Sequence, residues 1–496
     1  MRKTPFAIVL ALFVSCATPK TMSPSEDRRP QALPGATMPA RRSFAVMGPL
    51  LVGRPDQVRA IESTGEWGRF AEQLAFYKGI GVEAVSTDVW WGLVEPRDNQ
   101  FRWDYYRKIA DHIAAAGLKW VPILSFHQCG GNVGDTCDVP LPEWIWRKYA
   151  SLAPDGVQFK SKQGNLSRES ISVWGSQRAL VEYRDFMTRF QLAFADRASL
   201  IAEINVSLGP AGELRYPSYN SHDVGTGYPT QGAFQAYSGL ALRDYREFLR
   251  RRYGTTSRVE REYGLSGLRG WDDVMPPSGA GEVFGSAKSS ENPRRRDFLE
   301  WYADSLRRHG ERILRTAFEI FGAERSTLRE IPIGAKIPGI HWRMGTRRGA
   351  GAEFSDRGAE ITAGLISADL RDWGEAKGYG YRPLLEMFSR LARSPKSPPF
   401  VLHFTCLEMK DGEGDPRAQS LANSLVRWVG REAVRQGLTI KGENALSGTL
   451  GGREAWRTME EALREGGYSG LTVLRMDELF GNRTGREEFE ALISRN

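Results

Sequence analysis

Residues 82–126 open with Val82-Glu83-Ala84-Val85-Ser86-Thr87-Asp88-Val89, continue through an amphipathic stretch from Trp103 to Ala116, and close with Trp120-Val121-Pro122-Ile123-Leu124-Ser125-Phe126. A short apolar run, a helical pattern and a second short apolar run make one β/α unit and the start of the next. The same alternation extends outward in both directions. Strand-like runs fall at Phe44 to Met47, Val82 to Val89, Trp120 to Phe126, Leu200 to Leu208, Ile331 to Ile337, Phe400 to Phe404, Leu438 to Ile440 and Gly470 to Leu474. Helical patterns lie between most of them, at Trp67 to Lys78, Trp103 to Ala116, Ala179 to Ala195, Phe298 to Phe321, Arg417 to Gln436 and Arg453 to Glu465. Eight such runs predict a (β/α)8 TIM barrel, an α/β fold.

The stretch from about 209 to 297 is long, rich in Tyr, Pro and Gly, and carries short helical patterns of its own. An insertion of that size after a barrel strand predicts a substrate lobe at the C-terminal face. No internal repeat or separate C-terminal module is evident. Polar groups gather just past the strand ends: Asp88, His127, Asp135, Glu213, Lys336, Thr405, Glu443 and Arg475. In a barrel those ends converge on one face. Any one of them could be a structural charge, but eight groups over seven strand ends point to a single cleft.

Composition fits this reading. The chain has 496 residues, 41% hydrophobic and 26% charged, as in a globular enzyme. Its 14 Trp suit sugar rings, although Trp also fills large cores. The net charge is +8 and the pI about 9.2, but Lys and Arg are mixed with Asp and Glu along the chain. The clusters Arg250-Arg251-Arg252 and Arg294-Arg295-Arg296 read as solvated helix faces. No nucleic-acid recognition motif accompanies the charge, so no nucleic-acid partner is expected. The six His are scattered and no His-Glu-x-x-His occurs, which excludes a zinc-hydrolase motif.

Residues 1–16 read as an export signal: a basic Met1-Arg2-Lys3, a short apolar run Phe6 to Val14, then Ser15-Cys16. This pattern is similar to a lipoprotein signal, with Cys16 lipidated, and an ordinary cleaved signal peptide is the alternative. The protein is expected outside the cytoplasm, either secreted or as an outer-membrane or cell-surface lipoprotein. Its contact with a membrane would be through that anchor alone. Residues 17–41 form a flexible tether and 42–496 the catalytic barrel. Of the remaining cysteines, Cys129 and Cys137 are the expected disulfide, closing a Gly-rich loop in an oxidising compartment, unless all are free thiols. Cys406 reads as a buried thiol.

Two carboxylates stand in Gly-marked loops: Glu213 in Gly209-Pro210-Ala211-Gly212-Glu213-Leu214-Arg215-Tyr216-Pro217 and Glu443 in Lys441-Gly442-Glu443-Asn444-Ala445-Leu446. Glycosidic cleavage needs one protonated carboxyl for the leaving oxygen and one carboxylate for water or the anomeric carbon.

The longer blocks carry a family resemblance. Ser125-Phe126-His127-Gln128-Cys129-Gly130-Gly131-Asn132-Val133-Gly134-Asp135 resembles the lid loop of the β-amylases, glycoside hydrolase family 14. Gly209 to Tyr219 resembles their acid-glutamate segment. Asp88 to Gly92, Lys336 to Trp342, Phe404 to Met409 and Gly442 to Leu446 resemble their remaining blocks, in order. Gly225-Thr226-Gly227-Tyr228-Pro229, with Cys137 two residues after Asp135, is similar to the bacterial members. The resemblance covers residues 45 to 480. It implies exo-acting, inverting hydrolysis of α-1,4-glucosidic bonds in starch or maltooligosaccharides, releasing β-maltose from non-reducing ends. A monomer is expected, with no cofactor required for the chemistry.

Residue by residue, the resemblance implies Glu213 as general acid and Glu443 as general base, with Lys336 favouring the ionised base. It implies Thr405 as an organising hydroxyl of the inner loop. Asp88, His127 and Asp135 would hold the terminal glucose, Asp135 from a lid hinged on Gly130, Gly131 and Gly134. His341, Trp342, Asn444, Ala445 and Arg475 would line the remaining subsites. Two departures stand out, Arg343 and His403, and both are expected to touch binding detail and leave the chemistry intact. Bacterial members can hold a structural calcium ion. Glu95, Asp98 or Asn99, Gln100, Glu182 and Asp185 supply the oxygens for one here. Solvated helix-face acids are the equal alternative reading. Two other functions stay open: a retaining barrel glycosidase, and a catalytically dead glucan-binding lipoprotein, which would be expected to lack Glu213, Glu443 or Asp135.

Overall fold

Eight parallel strands close on themselves in chain order. They are β1 (Ser43–Met47), β2 (Ala84–Trp90), β3 (Lys119–Ser125), β4 (Ile204–Val206), β5 (Ile333–Ile337), β6 (Phe400–Phe404), β7 (Thr439–Glu443) and β8 (Gly470–Val473). The computed structural model describes residues 41–55, 65–130, 137–285, 289–345, 351–395 and 397–496. The export signal with Cys16, the tether up to residue 40, and Asp135 with most of its loop lie outside the described residues. Closure is made by β1 against β8, with Ser43 opposite Gly470 and Val46 opposite Val473.

The strands read as apolar runs because both of their faces are covered. Every residue of β2 is buried, some inside the barrel and some under the helix layer. The polar ones find partners: Thr87 Oγ1 accepts from the Trp120 indole N–H at 2.9 Å. Outside run α1 (Gly65–Gly79), α2 (Asp104–Ala115), α3 (Leu180–Ala193), α4 (Pro293–Phe321), α5 (Arg382–Ala392), α6 (Ala422–Arg435), α7 (Arg453–Gly466) and α8 (Arg483–Arg495). Each buries one stripe. In α1 the stripe is Trp67, Phe70, Leu74 and Tyr77, at helical spacing, each worth roughly 1.5–3 kcal/mol when fully buried. The 29-residue α4 starts at Pro293, and the Asn292 side chain caps it by accepting from Arg295 N–H.

Three elements differ from the sequence reading. β4 is three residues long, not nine: before Ile204 the backbone pairs with β3 at the single Ile201–Trp120 bridge. Helices α5 and α8 are additional to the helical patterns read from sequence.

The insertion between β4 and α4 folds as expected into its own helices, Gly239–Tyr253, Thr256–Tyr263 and Ala280–Phe284. It is pinned to α4 by aromatic packing and by the Trp301 indole, which donates to Asp244 at 2.7 Å. Tyr216 stacks on Tyr302 at 3.8 Å. Asp223 ties this lobe to the loop after β3, accepting from Ser161, Asn165, Asn220 and Gln235. These donors hold its carboxyl below the usual range, against the opposing effect of burial. Arg250, Arg251 and Arg252 are exposed, as expected, with Arg252 paired to Asp297 and Glu300; in the second cluster Arg296 is exposed and the half-buried Arg294 pairs with Glu282.

Candidate active site

Glu213 is set by the turn that follows β4. Gly209 permits it: a Cβ there would lie 2.6 Å from the Glu213 carbonyl oxygen. Ala211 takes a left-handed φ of 55°, and Gly212 N–H bonds back to Gly209 O. The chain then runs alongside β5, with Leu214 N–H donating to Lys336 O at 2.8 Å. The Glu213 carboxylate is buried and accepts from Arg215 Nε at 2.9 Å. Burial raises its pKa. The Glu443 charge adds to that rise, while Arg215 and Lys336 oppose it without cancelling it.

Glu443 ends β7. Gly442 before it is packed so closely that a Cβ would fall 2.0 Å from Leu407 Cδ2. Oε2 of Glu443 lies 2.5 Å from Lys336 Nζ, and Oε1 lies 3.3 Å from His403 Nδ1. Burial alone would raise this carboxyl, but Lys336 and His403 outweigh it and hold the pKa below the usual glutamate value. Two buried glutamates at one mouth are thus driven in opposite directions.

Around them stand most of the groups read from sequence. Asp88 is buried and accepts from Ser125 Oγ at 2.6 Å. His127 is hydrogen-bonded through Nδ1 to Ser207 Oγ and packs its ring against Trp90. Burial, with Lys336 and Arg215 nearby, lowers its pKa to about 3, so the ring is neutral. His341 contacts Ser420 Oγ through Nδ1 and is lowered to about 4, chiefly by burial. Trp342 sits between Tyr219 and Tyr228 and donates its indole N–H to Thr230 O. Thr405 Oγ1 accepts from Gly339 N–H at 2.8 Å, locking the loops after β5 and β6 together. Asn444 Oδ1 accepts from Leu474 N–H, joining the ends of β7 and β8. Ala445 is exposed at the rim, and Arg475 follows β8 in a left-handed turn. A hollow of about 520 Å³ lies beside this cleft, with Thr230 and Arg343 in its wall.

Sequence reasoning passed over several contributing groups. Arg215, two residues after Glu213, lies over the Tyr219 ring at 4.2 Å and is the direct partner of Glu213. Glu408, within the Phe404 to Met409 segment, accepts from the Ala445 and Leu446 N–H groups and fixes the loop carrying Asn444. His403 is a correction: it was expected to affect binding detail, yet it touches the Glu443 carboxylate. Cys129 and Cys137 are bonded, with Cα atoms 5.7 Å apart, and Cys406 is a buried free thiol.

The proposed calcium ligands do not form a cage. Glu95 accepts from the Trp91 indole and the Asn99 amide, and burial lifts its pKa to about 7. Asp98 and Glu182 share the Lys148 ammonium at 2.9 Å each. Asp185 pairs with Arg189, and Gln100 is exposed. Among the described residues no group of three or more His, Cys, Asp or Glu is placed to hold a metal ion.

A closed parallel barrel with two buried glutamates at the C-terminal ends of β4 and β7 defines a glycoside hydrolase of the barrel class. Residues 46–493 match glycosyl hydrolase family 14, and the chain belongs to that family. It is 33% identical to a β-amylase of Bacillus cereus over 98% of this chain and 79% of that one. It is 36% identical to a β-amylase of Cytobacillus firmus, covering 88% and 83% of the two chains. The crystal structure of the catalytic domain of β-amylase from Paenibacillus polymyxa superposes with a TM-score of 0.75 at 34% identity, covering 91% of this chain and 98% of that one. A β-galactosidase from the psychrophilic Marinomonas ef1 shares the fold alone, at 12% identity and a TM-score of 0.51.

Proposed function

We propose that this chain is a β-amylase that cuts α-1,4-linked glucan from the non-reducing end and releases β-maltose, with Glu213 as general acid and Glu443 as general base. The observation that carries the assignment of roles is the asymmetry of the two carboxyls. Glu213 is biased towards its protonated form by burial. Glu443 is biased towards its ionised form by Lys336, 2.5 Å away. A general acid must hold a proton near neutral pH and a general base must not.

In the inverting sequence, Glu213 gives its proton to the glycosidic oxygen as that bond breaks. Glu443 takes a proton from a water that attacks the anomeric carbon from the opposite face. The maltose then leaves in the β configuration. Arg215 holds the Glu213 carboxyl in place through the attack. Asp88 and the neutral His127 present an acceptor and a ring nitrogen for sugar hydroxyls, while Trp342 offers an aromatic face. No step calls on a metal ion. The carboxylates of Glu95, Asp98, Glu182 and Asp185 are engaged by protein donors, and Lys148 supplies the positive charge between Asp98 and Glu182.

The test is product analysis on maltoheptaose carrying a blocking group at its non-reducing end, beside the free sugar. The free sugar should yield maltose from the first minutes, and the blocked one should remain intact. Internal cleavage of the blocked sugar would overturn the exo-acting assignment.

A further inference from the structure

Behind Glu443 lies a second layer of buried charge that the mechanism above does not use. Glu203 precedes β4, His403 sits on β6 and Lys441 on β7. Glu203 Oε1 accepts from His403 Nε2 at 2.5 Å, and Glu203 Oε2 accepts from Lys441 Nζ at 2.8 Å. The other ring nitrogen of His403 faces Glu443 Oε1 at 3.3 Å. The imidazole therefore stands between two carboxylates, both nearly inaccessible to solvent, and it is itself 3% exposed. A neutral ring can donate only one N–H and would turn a lone pair towards one carboxylate. An imidazolium turns an N–H to both, as a hydrogen bond to Glu203 and an ion pair with Glu443.

We propose that His403 is a positioning residue for the general base, held as an imidazolium between Glu203 and Glu443 so that it orients Glu443 and keeps it ionised.

The charges around Glu443 come from three strands. Lys336 reaches it from β5 and His403 from β6; Glu203, from the segment before β4, acts through His403 with Lys441 of β7 behind it. Burial disfavours a charged ring, but Glu203 and Glu443 together overcome it and raise the His403 pKa. Glu203 stays anionic down to about 2 because His403 and Lys441 outweigh its burial. Glu213, by contrast, takes its charge environment from Arg215, Lys336 and Glu443. The two limbs of the pH profile are thereby separable. The acid limb reports Glu443 losing its proton and the alkaline limb reports Glu213 losing its own.

The inference rests on Glu443 being the base, and the experiment keeps the two apart. The pH profile of kcat/KM is measured on maltooligosaccharide for wild type, H403N, E203Q and the double variant. The acid limb should move up by roughly one pH unit in H403N, because one neighbouring cation is gone. E203Q should move it in the same direction, and adding E203Q to H403N should move it no further. The alkaline limb should shift less. Folded variants whose acid limb stays at the wild-type position would overturn the proposal. E443Q that retains turnover would instead remove the base assignment beneath it. The wild-type protein gives an independent reading that needs no variant. In ¹⁵N-labelled enzyme at pH 7, one buried imidazole among the six histidines should carry protons on both nitrogens, with slow solvent exchange. The absence of any such ring would also overturn the proposal.

Discussion

Lys336 holds both halves of the site: its Nζ lies 2.5 Å from Glu443 Oε2, while its carbonyl accepts the amide of Leu214, next to Glu213. One residue of β5 thereby sets the position of the segment carrying the acid and the ionisation of the base. Its ammonium is itself kept protonated. Burial works against the charge, but Glu443, Glu213 and Asp88 together raise its pKa.

The sign of its effect on catalysis follows directly. A cation lowers the pKa of every carboxyl near it, so removing it raises both Glu443 and Glu213. Lys336→Met should therefore displace both limbs of the kcat/KM profile towards higher pH, by about one unit on the acid side. A lowered kcat with both limbs in place would show that Lys336 acts through packing alone.

The two glutamates should fail in the same way. Glu213→Gln and Glu443→Gln each remove one proton-transfer group and preserve size, so kcat should drop by about 10³-fold while maltose binding persists. Calorimetry with maltose separates loss of chemistry from loss of the cleft. Either variant retaining near wild-type turnover would remove its residue from the mechanism.

Much of this architecture was legible in the sequence because parallel barrel strands are buried on both faces and so read as apolar runs. β6, Phe400–Phe404, was read at its true limits for that reason. Helix α5, Arg382–Ala392, was passed over: it is short and follows the Gly-rich 374–381 segment, whose irregular turns hide its start. β4 was read too long because Leu200 to Ala202 is as apolar as a strand but is not fully paired. At the site, Glu213 and Glu443 were legible from glycines that admit close backbone packing. Glu203, 10 residues before Glu213 and 200 before His403, was not. Its role exists only because barrel closure brings β4, β6 and β7 around one interior, and no local spacing encodes that. The calcium reading finds no ligand cage among the described residues for a related reason. The acids stand where they were sought, but Lys148, 34 residues before Glu182, reaches in between them.

The Lys148 ammonium between Asp98 and Glu182 has a measurable consequence. Excess EDTA should leave the Tm of the wild type unchanged. Lys148→Met should lower stability by about 1 kcal/mol, since it strands the buried Glu182 carboxylate beside Asp98. A large fall in wild-type Tm with chelator, restored by calcium, would contradict the account.

The central claim is that water attacks the face of the sugar opposite the leaving group, activated by Glu443 while Glu213 protonates the departing oxygen. Proton NMR of the anomeric region during the first minutes of maltoheptaose hydrolysis, before mutarotation, tests it most directly. The account predicts newly released maltose as the β anomer, decaying later to the equilibrium mixture. Maltose that appears first as the α anomer would contradict it.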